Sequence, residues 1–277
     1  AEQDTGDHMR IAIQEDMLPG RSMIEKFEQA KTLGVQGIEF WGRGIDMKVE
    51  QIVEAVDRTG LKAATINHGR QGRLLDPDYL TRESALEELR TSIMAAADIG
   101  AVGVVFVPHF FGAIMPDLSP WMTAAELEVE MLHMHLRTLS DYANALGVSL
   151  LIEPINRYET HLFNRLEQAA VAAKRINHPK VKIVADMFHM ALEESDMAQA
   201  ITDHADLIGH VHLADHNRRL PGQGFLPFEK VTAALKAINY DGWAVLECGE
   251  PGNNAARAAQ YLTELPASLT HLRTAGF

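Results

Sequence analysis

The stretch Val148–Cys248 contains four short apolar runs, each ending on a side chain that can bind a metal ion. The runs are Val148-Ser-Leu-Leu-Ile-Glu153, Val181-Lys-Ile-Val-Ala-Asp186, Leu207-Ile-Gly-His-Val-His212 and Trp243-Ala-Val-Leu-Glu247. Each run is rich in strand-forming residues and is bounded by turn residues, which indicates a short β-strand. Their spacing of about 30 residues is typical of successive strand-helix units. One polar residue at the carboxyl end of each parallel strand is the arrangement that builds an active site in a (β/α)8 barrel.

Strand-helix alternation of this kind can be followed along the whole chain. The predicted strands before the four runs are Arg10–Gln14, Val35–Trp41, Leu61–Asn67 and Val102–Val107. The predicted helices are Met23–Leu33, Val49–Gly60, Tyr79–Ile99, Thr123–Leu146, Arg165–Ile176, Glu193–Asp203, Pro227–Ile238 and Ala255–Leu272. Several of these helices end at a glycine, a common C-terminal stop. The pattern predicts the α/β class and a single (β/α)8 TIM barrel.

The length and composition of the chain agree with this fold. A barrel of this type takes about 250 residues, and the chain has 277, of which 47% are hydrophobic and 23% charged. We expect one barrel domain over residues 9–277 and no membrane span. Residues 1–8 are polar and lack the apolar core of a signal peptide, so we interpret them as an N-terminal tail or an expression remnant.

The charge of the chain indicates which partners to expect. A formal net charge of −13 would repel a polyanion, which argues against nucleic acid and anionic membranes as partners. We therefore expect a small-molecule substrate as the partner. The single cysteine, Cys248, excludes an internal disulfide and favours a reducing cytoplasm. Met131 and Met134 lie at helical spacing and indicate core or subunit contact, and we expect a homo-oligomer, either a dimer or a tetramer.

The four strand-end side chains Glu153, Asp186, His212 and Glu247 form what we call the quartet. Three carboxylates and one imidazole make an oxygen-rich site that suits one divalent ion, Mn²⁺ first and Mg²⁺, Co²⁺ or Zn²⁺ as alternatives. A cation would also relieve the repulsion among three converging carboxylates, which otherwise raises their pKa. The alternative interpretation is that each acid only caps a helix or lies in a loop. Four such side chains at the same position of four successive strands favour a shared site.

Several motifs of the chain resemble one enzyme family. They are Glu153-Pro-Ile-Asn-Arg-Tyr-Glu159, Asp186-Met-Phe-His189, His212-Leu-Ala-Asp, Asn217-Arg218 with Pro221-Gly-Gln-Gly224, and Glu247. In this order they resemble the D-tagatose 3-epimerase group, sugar isomerases and epimerases among the xylose isomerase-like barrels. The resemblance covers most of the chain after Gly147 and, more weakly, residues 34–39.

The resemblance implies a function and roles for single residues. The enzyme would be a metal-dependent isomerase that acts on a ketose or keto-sugar by deprotonation and reprotonation through an enediolate. The quartet would hold the metal, with Glu153 and Glu247 also acting as the catalytic acid/base pair. Glu159, His189 and Arg218 would bind the sugar hydroxyls and carbonyl. Such donors would face the negative charge that develops during proton removal.

Two histidines at strand ends depart from the pattern of the ketose epimerases. Asn67-His68-Gly69 follows the third predicted strand and Pro108-His109-Phe110-Phe111 follows the fourth. We expect His68 and His109 either to contact the substrate as wall residues of the pocket or to be ordinary hydrogen-bonding side chains. Glu39, at the second strand, could reach the pocket or bond within the barrel rim. His210 is interpreted as a core imidazole.

The sequence leaves three alternative functions open. A related enolising isomerase or lyase, similar to hydroxypyruvate isomerase or acting on oxidised glycosides, would use the same chemistry. An endonuclease IV-type phosphodiesterase with three zinc ions also resembles this chain at His68, His109, His189 and the quartet. That group requires an Asp-x-His pair where this chain has His216-Asn217-Arg218. A barrel without catalysis would have lost a quartet residue, and none is lost.

Overall fold

The computed structural model describes residues 9–277 and forms a closed barrel of parallel strands surrounded by helices. The predicted tail, residues 1–8, lies outside the described residues. The eight strands found in this part of the chain are β1 (Arg10–Gln14), β2 (Gly37–Trp41), β3 (Lys62–Asn67), β4 (Gly103–Phe106), β5 (Ser149–Ile152), β6 (Val181–Asp186), β7 (Ile208–Leu213) and β8 (Trp243–Leu246). Each strand pairs in parallel with its sequence neighbours, and β8 pairs with β1. The predicted single (β/α)8 TIM barrel is therefore confirmed.

Helices follow the strands and cover the outside of the barrel. They are α1 (Met23–Leu33), α2 (Val49–Thr59), α3 (Tyr79–Ile99), α4 (Ala124–Ala145), α5 (Leu166–Ile176), α6 (Met187–Glu193), α7 (Met197–Asp203), α8 (Phe228–Ala237) and α9 (Ala258–Thr274). As predicted, Gly34, Gly60 and Gly100 end helices in the left-handed conformation, which glycine adopts without steric cost. Within residues 9–277, none of the helices is both long enough and apolar enough to cross a bilayer.

One predicted helix was wrong in its boundaries. The helix expected over Glu193–Asp203 begins only at Met197, as α7, and a helix that was not expected, α6, precedes it and ends at Glu193. The difference arises because an aspartate caps each of these two helices. Asp186 accepts hydrogen bonds from the backbone N–H groups of the first turn of α6, and Asp196 accepts one from Gln199 in α7. The chain therefore enters a helix directly after β6, which brings His189 close to the barrel mouth.

Side chains that point into the barrel form small apolar layers below the strand ends. Leu151 and Val184 pack with Val105, and Val245 packs with Ala12, Ala64 and Trp243. Because side chains two apart on a strand share a face, these layers place Glu153, Asp186 and Glu247 one step higher, at the barrel mouth. The larger cluster of apolar residues lies between the sheet and the helices. These apolar layers therefore support the quartet from below.

The close contact between β4 and β5 at Gly103 gives a test of the packing. A Cβ atom at Gly103 would lie 2.8 Å from the Ser149 carbonyl oxygen and 2.9 Å from Leu151 Cδ1. We expect Gly103→Ala to lower the free energy of unfolding by about 1–3 kcal/mol, as overpacking does. Urea unfolding followed by circular dichroism measures this change. Gly112→Ala, which meets nothing within 4 Å, is the control and should change stability by less than about 1 kcal/mol; equal effects in both variants would contradict the assignment.

Candidate active site

The structure brings the four quartet side chains together around one imidazole nitrogen. His212 Nδ1 lies 2.9 Å from Glu153 Oε1, 2.9 Å from Glu247 Oε2 and 3.5 Å from Asp186 Oδ2. All four residues are buried. They come from β5, β6, β7 and β8, so the predicted convergence of strand ends is present in the structure. Their role as metal ligands stays a prediction.

Asp186 has two functions in this arrangement. Its Oδ1 atom accepts hydrogen bonds from the backbone N–H groups of Phe188 and His189 and so caps α6. Its other oxygen, Oδ2, faces His212 Nδ1. The two interpretations made from the sequence, a helix cap and a site residue, are therefore both compatible with the structure at this position. The cap also fixes the carboxylate, since one oxygen cannot rotate away without breaking two hydrogen bonds.

The second nitrogen of His212 is held by Glu39, which lies in the barrel interior. His212 Nε2 is 3.1 Å from both carboxylate oxygens of Glu39. Glu39 also contacts His210 Nε2 at 3.0 Å and accepts hydrogen bonds from Thr65 Oγ1 at 2.6 Å and Gln14 Nε2 at 2.9 Å. Of the two roles considered for Glu39, bonding within the barrel is the one observed. A carboxylate at Nε2 holds a proton on that nitrogen and turns Nδ1 toward the quartet, where Nδ1 can bind a metal ion once its own proton has left; this is a common support for a metal-binding histidine.

The charges of the buried groups depend on one another. Burial, together with repulsion from Glu247 and Asp186, raises the pKa of Glu153 well above its ordinary value. Burial lowers the pKa of His212, but the carboxylates of Glu247, Glu39 and Glu153 outweigh it and raise that pKa well above its usual range. Burial raises the pKa of Asp186, but the electrostatic effect of the His189 and His212 imidazoles and a hydrogen bond from His212 outweigh it and lower that pKa. The site therefore requires positive charge where the carboxylates meet.

A divalent cation fits this requirement. The ligand atoms of Glu153, Asp186, His212 and Glu247 all lie within 4.8 Å of one another. Three carboxylate oxygens and one imidazole nitrogen are a ligand set for a hard or borderline divalent ion. Glu39, His210 and His212 also lie close together, but both histidines already hydrogen-bond to Glu39, which accounts for their proximity. The quartet is thus the group whose concentrated negative charge favours a bound cation.

Glu247 is positioned by two amides that the sequence analysis did not identify as site residues. Gln14 Nε2 and Asn67 Nδ2 donate to Glu247 Oε1 over 3.0 and 3.2 Å. The other oxygen, Oε2, is the one beside His212. Gln14 ends β1 and Asn67 ends β3, so the strand-end position that identified the quartet also applies to them.

His189 and Arg218, the predicted sugar contacts, face the same cavity as Glu153 and Glu247. Asn156 fixes the tautomer of His189, because its backbone N–H donates to Nδ1 over 3.1 Å and its side-chain amide lies 2.9 Å from the same atom. Nε2 therefore carries the proton. Burial lowers the pKa of His189, which favours the neutral form. His189 is consequently a neutral hydrogen-bond donor.

Arg218 is held by its backbone and by an aromatic ring. Its φ of 60° is in the left-handed region, and its carbonyl oxygen accepts a hydrogen bond from the Gly249 N–H over 2.6 Å. The guanidinium lies 4.5 Å from the centre of the Phe188 ring and 3.4 Å from Glu159 Oε2. Glu159 itself lines the cavity, but Asn156 and Arg70 also donate to its carboxylate. Glu159 thus orients Arg218, and its predicted contact with the sugar stays a prediction.

The two histidines at strand ends have different positions. His68 is buried and lines the cavity, with Nδ1 2.9 Å from Ser92 Oγ. His109 is turned away from the cavity: its Nε2 lies 2.8 Å from the Gly112 carbonyl oxygen and its ring packs edge-on against His161. The structure therefore does not support the predicted pocket contact of His109. The chain bends after β4 ends at Phe106, so strand alternation no longer decides which way His109 points.

This geometry disfavours the three-zinc alternative. Among residues 9–277, the groups able to hold a metal include neither His68 nor His109. Both histidines are instead bonded to the protein, through Ser92 and Gly112 respectively. The quartet supports one ion, since His109 is directed away from the cavity and His68 does not lie close enough to other ligand atoms to form a second group.

Comparisons with known proteins agree on one family. The family model described as xylose isomerase-like TIM barrel matches residues 27–265. The chain is 33% identical over 241 residues to the 3-dehydro-D-guloside 4-epimerase of Escherichia coli (strain K12), covering 86% of this chain and 92% of that protein. It is 44% identical over 113 residues to a D-psicose 3-epimerase of Enterocloster bolteae, covering 41% of this chain and 38% of that enzyme.

A solved structure extends the similarity to three dimensions. The apo crystal structure of the E. coli 3-keto-D-glucoside 4-epimerase superposes with a TM-score of 0.84 at 31% sequence identity. The match covers 96% of this chain and 99% of that chain. Nearly the whole barrel, with its loops, is thus similar to that of a sugar epimerase.

The quartet geometry predicts one divalent ion per chain. Elemental analysis of purified protein incubated with Mn²⁺ and desalted measures the ratio. We expect Glu39→Leu to bind the ion about 10- to 100-fold more weakly in a chelator competition, because His212 then loses the acceptor at Nε2. Glu54→Gln, on the exposed surface of α2, is the control and should bind like the parent. Three ions per chain would overturn the mononuclear assignment, and equal affinity in all three proteins would overturn the role of Glu39.

The environment of His68 predicts a pH effect on stability. Burial lowers the pKa of His68 from 6.5 to about 4, so the unfolded chain binds more protons than the folded chain between these values. Stability should fall as the pH decreases from 6.5 to 4, by about 3 kcal/mol from this residue. The measurement is urea unfolding at each pH for the parent and His68→Gln. The difference between the two proteins should change across this window, and a constant difference would show that His68 does not contribute.

Proposed function

The chain belongs to the xylose isomerase-like TIM barrel family, and from this premise we propose that it is a divalent-metal-dependent epimerase of a keto-sugar. The reaction would invert the carbon next to the carbonyl group by removing its proton and returning one to the opposite face. The relatives support this class of substrate, since the names of two similar enzymes are 3-dehydro-D-guloside 4-epimerase and D-psicose 3-epimerase.

The observation that carries the proposal is the pair of glutamates around one centre. Glu153 follows β5 and Glu247 follows β8, and each places an oxygen 2.9 Å from His212 Nδ1. Of the quartet, these are the two residues that line the cavity. Since β6 and β7 lie between their strands in the barrel, the two carboxylates approach the cavity from different sides. Inversion requires this arrangement, because the proton leaves one face of the carbon and arrives at the other.

The chain's own residues account for each proton transfer. One glutamate takes the proton from the carbon, and the other donates a proton to the opposite face. The negative charge of the resulting enediolate develops on the substrate oxygens. Arg218 and the Nε2–H of His189 line the same cavity and would stabilise that charge as preorganised donors. For the reverse reaction the two glutamates exchange roles.

The metal ion would be held by Glu153, Asp186, His212 and Glu247. Bound there, a divalent ion supplies positive charge beside the substrate oxygens and so makes the neighbouring C–H bond more acidic. We propose Mn²⁺ first, because the ligand set is rich in carboxylate oxygens and includes a single imidazole. Mg²⁺, Co²⁺ and Zn²⁺ are the alternatives for metal analysis.

The remaining sequence-based expectations complete the proposal. We propose a role in carbohydrate metabolism in the cytoplasm and a homo-oligomer, a dimer or a tetramer. The net charge of −13 supports a small-molecule substrate and opposes a nucleic acid partner.

Substitution of the two glutamates tests the mechanism. In Glu153→Gln and Glu247→Gln an oxygen remains for the metal, but the proton carrier is lost, so epimerisation should fall by about 10²- to 10⁴-fold. Each variant should still exchange with D₂O the proton of the epimer whose C–H bond faces the remaining carboxylate. Proton NMR in D₂O with a keto-sugar panel and Mn²⁺ measures both reactions.

Glu54→Gln serves again as the matched control and should retain activity. Near-full activity in both site variants, with metal bound, would rule out the two-base mechanism. If one glutamate were dispensable and the other essential, a one-base isomerisation between adjacent carbons would be the better interpretation.

A further inference from the structure

The cavity above the quartet is larger than the reaction requires. Its volume is about 820 Å³, toward the upper end of the roughly 300–1,000 Å³ found for small-molecule sites. Glu153, Glu247, His189 and Arg218 surround one part of it. A second part, which we call the outer arm, is lined by Glu15, Asp16, Trp41, Arg43, Lys48 and residues 249–253. The proposed chemistry does not use the outer arm.

The walls of the outer arm are fixed by contacts between loops that are distant in sequence. Glu15 Oε1 accepts a hydrogen bond from the Trp41 backbone N–H over 3.2 Å and pairs with Lys48 Nζ over 2.9 Å. Asp16 Oδ2 accepts one from the Gly252 N–H over 2.8 Å. The segments after β1, β2 and β8 are therefore linked before any ligand binds. A preformed wall of this kind is typical of a binding site.

Two buried polar atoms in these walls have no partner in the described part of the chain. They are Asp16 Oδ1, an acceptor, and Trp41 Nε1, a donor. Burial raises the pKa of Asp16, and the Trp41 indole N–H, a donor that faces the same carboxyl group, offsets this only in part. A ligand hydroxyl group can accept from the indole N–H and donate to the carboxylate, so a single hydroxyl would satisfy both atoms.

The chemistry of the walls selects among ligand classes. Glu15 pairs with Lys48, and Asp16 and Glu250 balance the charges of Lys26 and Arg43, so the walls carry no excess positive charge that would select an anionic group. A purely apolar group would leave the Asp16 and Trp41 atoms unpaired, which is unfavourable for buried polar groups. A hydroxylated ring meets both conditions, because its apolar face can pack on an indole while its hydroxyl groups hydrogen-bond.

We propose that the outer arm binds a second sugar ring and that the substrate is a keto-glycoside with a glycosyl substituent. This inference rests on the proposed function, since it places the reacting keto-sugar at the quartet. Asp16 and Trp41 bind the second ring through a shared hydroxyl group. A free ketose occupies only the part of the cavity around Glu153 and Glu247.

The test compares substrates with and without a second ring. The probes are methyl 3-keto-D-glucosides, the 3-keto derivatives of maltose, cellobiose and trehalose, and D-fructose, each with Mn²⁺ in D₂O. We expect kcat/KM for at least one keto-disaccharide to exceed that for the methyl glycosides by about tenfold or more. Trp41→Phe, which retains an aromatic ring and removes the N–H, and Asp16→Asn should each reduce this ratio to between one and three. Trp121→Phe, with a tryptophan that is 87% exposed, is the matched control and should preserve the ratio.

A binding measurement independent of turnover completes the test. Calorimetry with unoxidised maltose, cellobiose, trehalose and the methyl glucosides should give tighter binding for one disaccharide, and Trp41→Phe and Asp16→Asn should remove the difference. Circular dichroism checks that the variants are folded.

Three outcomes are decisive. A ratio near one in the parent protein for all three disaccharides, or equal losses on both classes of probe in the variants, overturns the outer-arm assignment and leaves the proposed function intact. Proton exchange on none of the keto-sugars rejects the proposed function, and the calorimetric comparison alone then decides the outer arm. A preference for a disaccharide that both variants lose supports the assignment.

Discussion

The contact between His212 and three buried carboxylates is the interaction on which the rest of the site depends. Burying carboxylates is costly unless positive charge or hydrogen-bond donors compensate them. Within the protein, His212 Nδ1 provides that compensation, with Glu153, Asp186 and Glu247 at 2.9–3.5 Å. Burial and the neighbouring carboxylates raise the pKa of Glu153, and the carboxylates raise the pKa of His212 against the effect of its burial, so both groups hold a proton where negative charge is concentrated. A site that holds protons in this way is also one that a divalent cation can occupy.

Buried polar side chains inside the barrel are needed to maintain this contact. Leu151 and Val184 fill the barrel below the quartet, as the strand period requires. At β2, however, Glu39 lies fully buried among His212, His210 and Thr65. This polar layer fixes the orientation of the imidazole ring. Without an acceptor at Nε2, the ring could turn, and Nδ1 would no longer be held beside the carboxylates.

Strand periodicity explains which features could be predicted from the sequence. The strand pattern, the closed barrel and the meeting of the quartet follow from alternation along β5 to β8, because the direction of each side chain is set by its position. Gln14 and Asn67 also end strands, but uncharged amides give no signal of a metal site, so their contacts with Glu247 could not be recognised. His109 lies in a loop beyond a strand end, where alternation no longer applies. The additional helix α6 and the later start of α7 depended on two capping side chains, Asp186 and Asp196.

The outer arm could not be predicted because its contacts join loops far apart in sequence. Asp16 meets Gly252 only after β8 has closed the barrel against β1. Three consecutive residues at the end of β1 hold side chains or loops in both parts of the cavity. Gln14 donates to Glu247, Glu15 accepts from the Trp41 backbone N–H, and Asp16 accepts from the Gly252 N–H. The reacting carboxylate and the walls of the outer arm are thus positioned by the same short segment at the end of β1. A ring bound against Asp16 would contact the segment that holds Glu247, so substrate recognition and the geometry of proton transfer share one support in the fold.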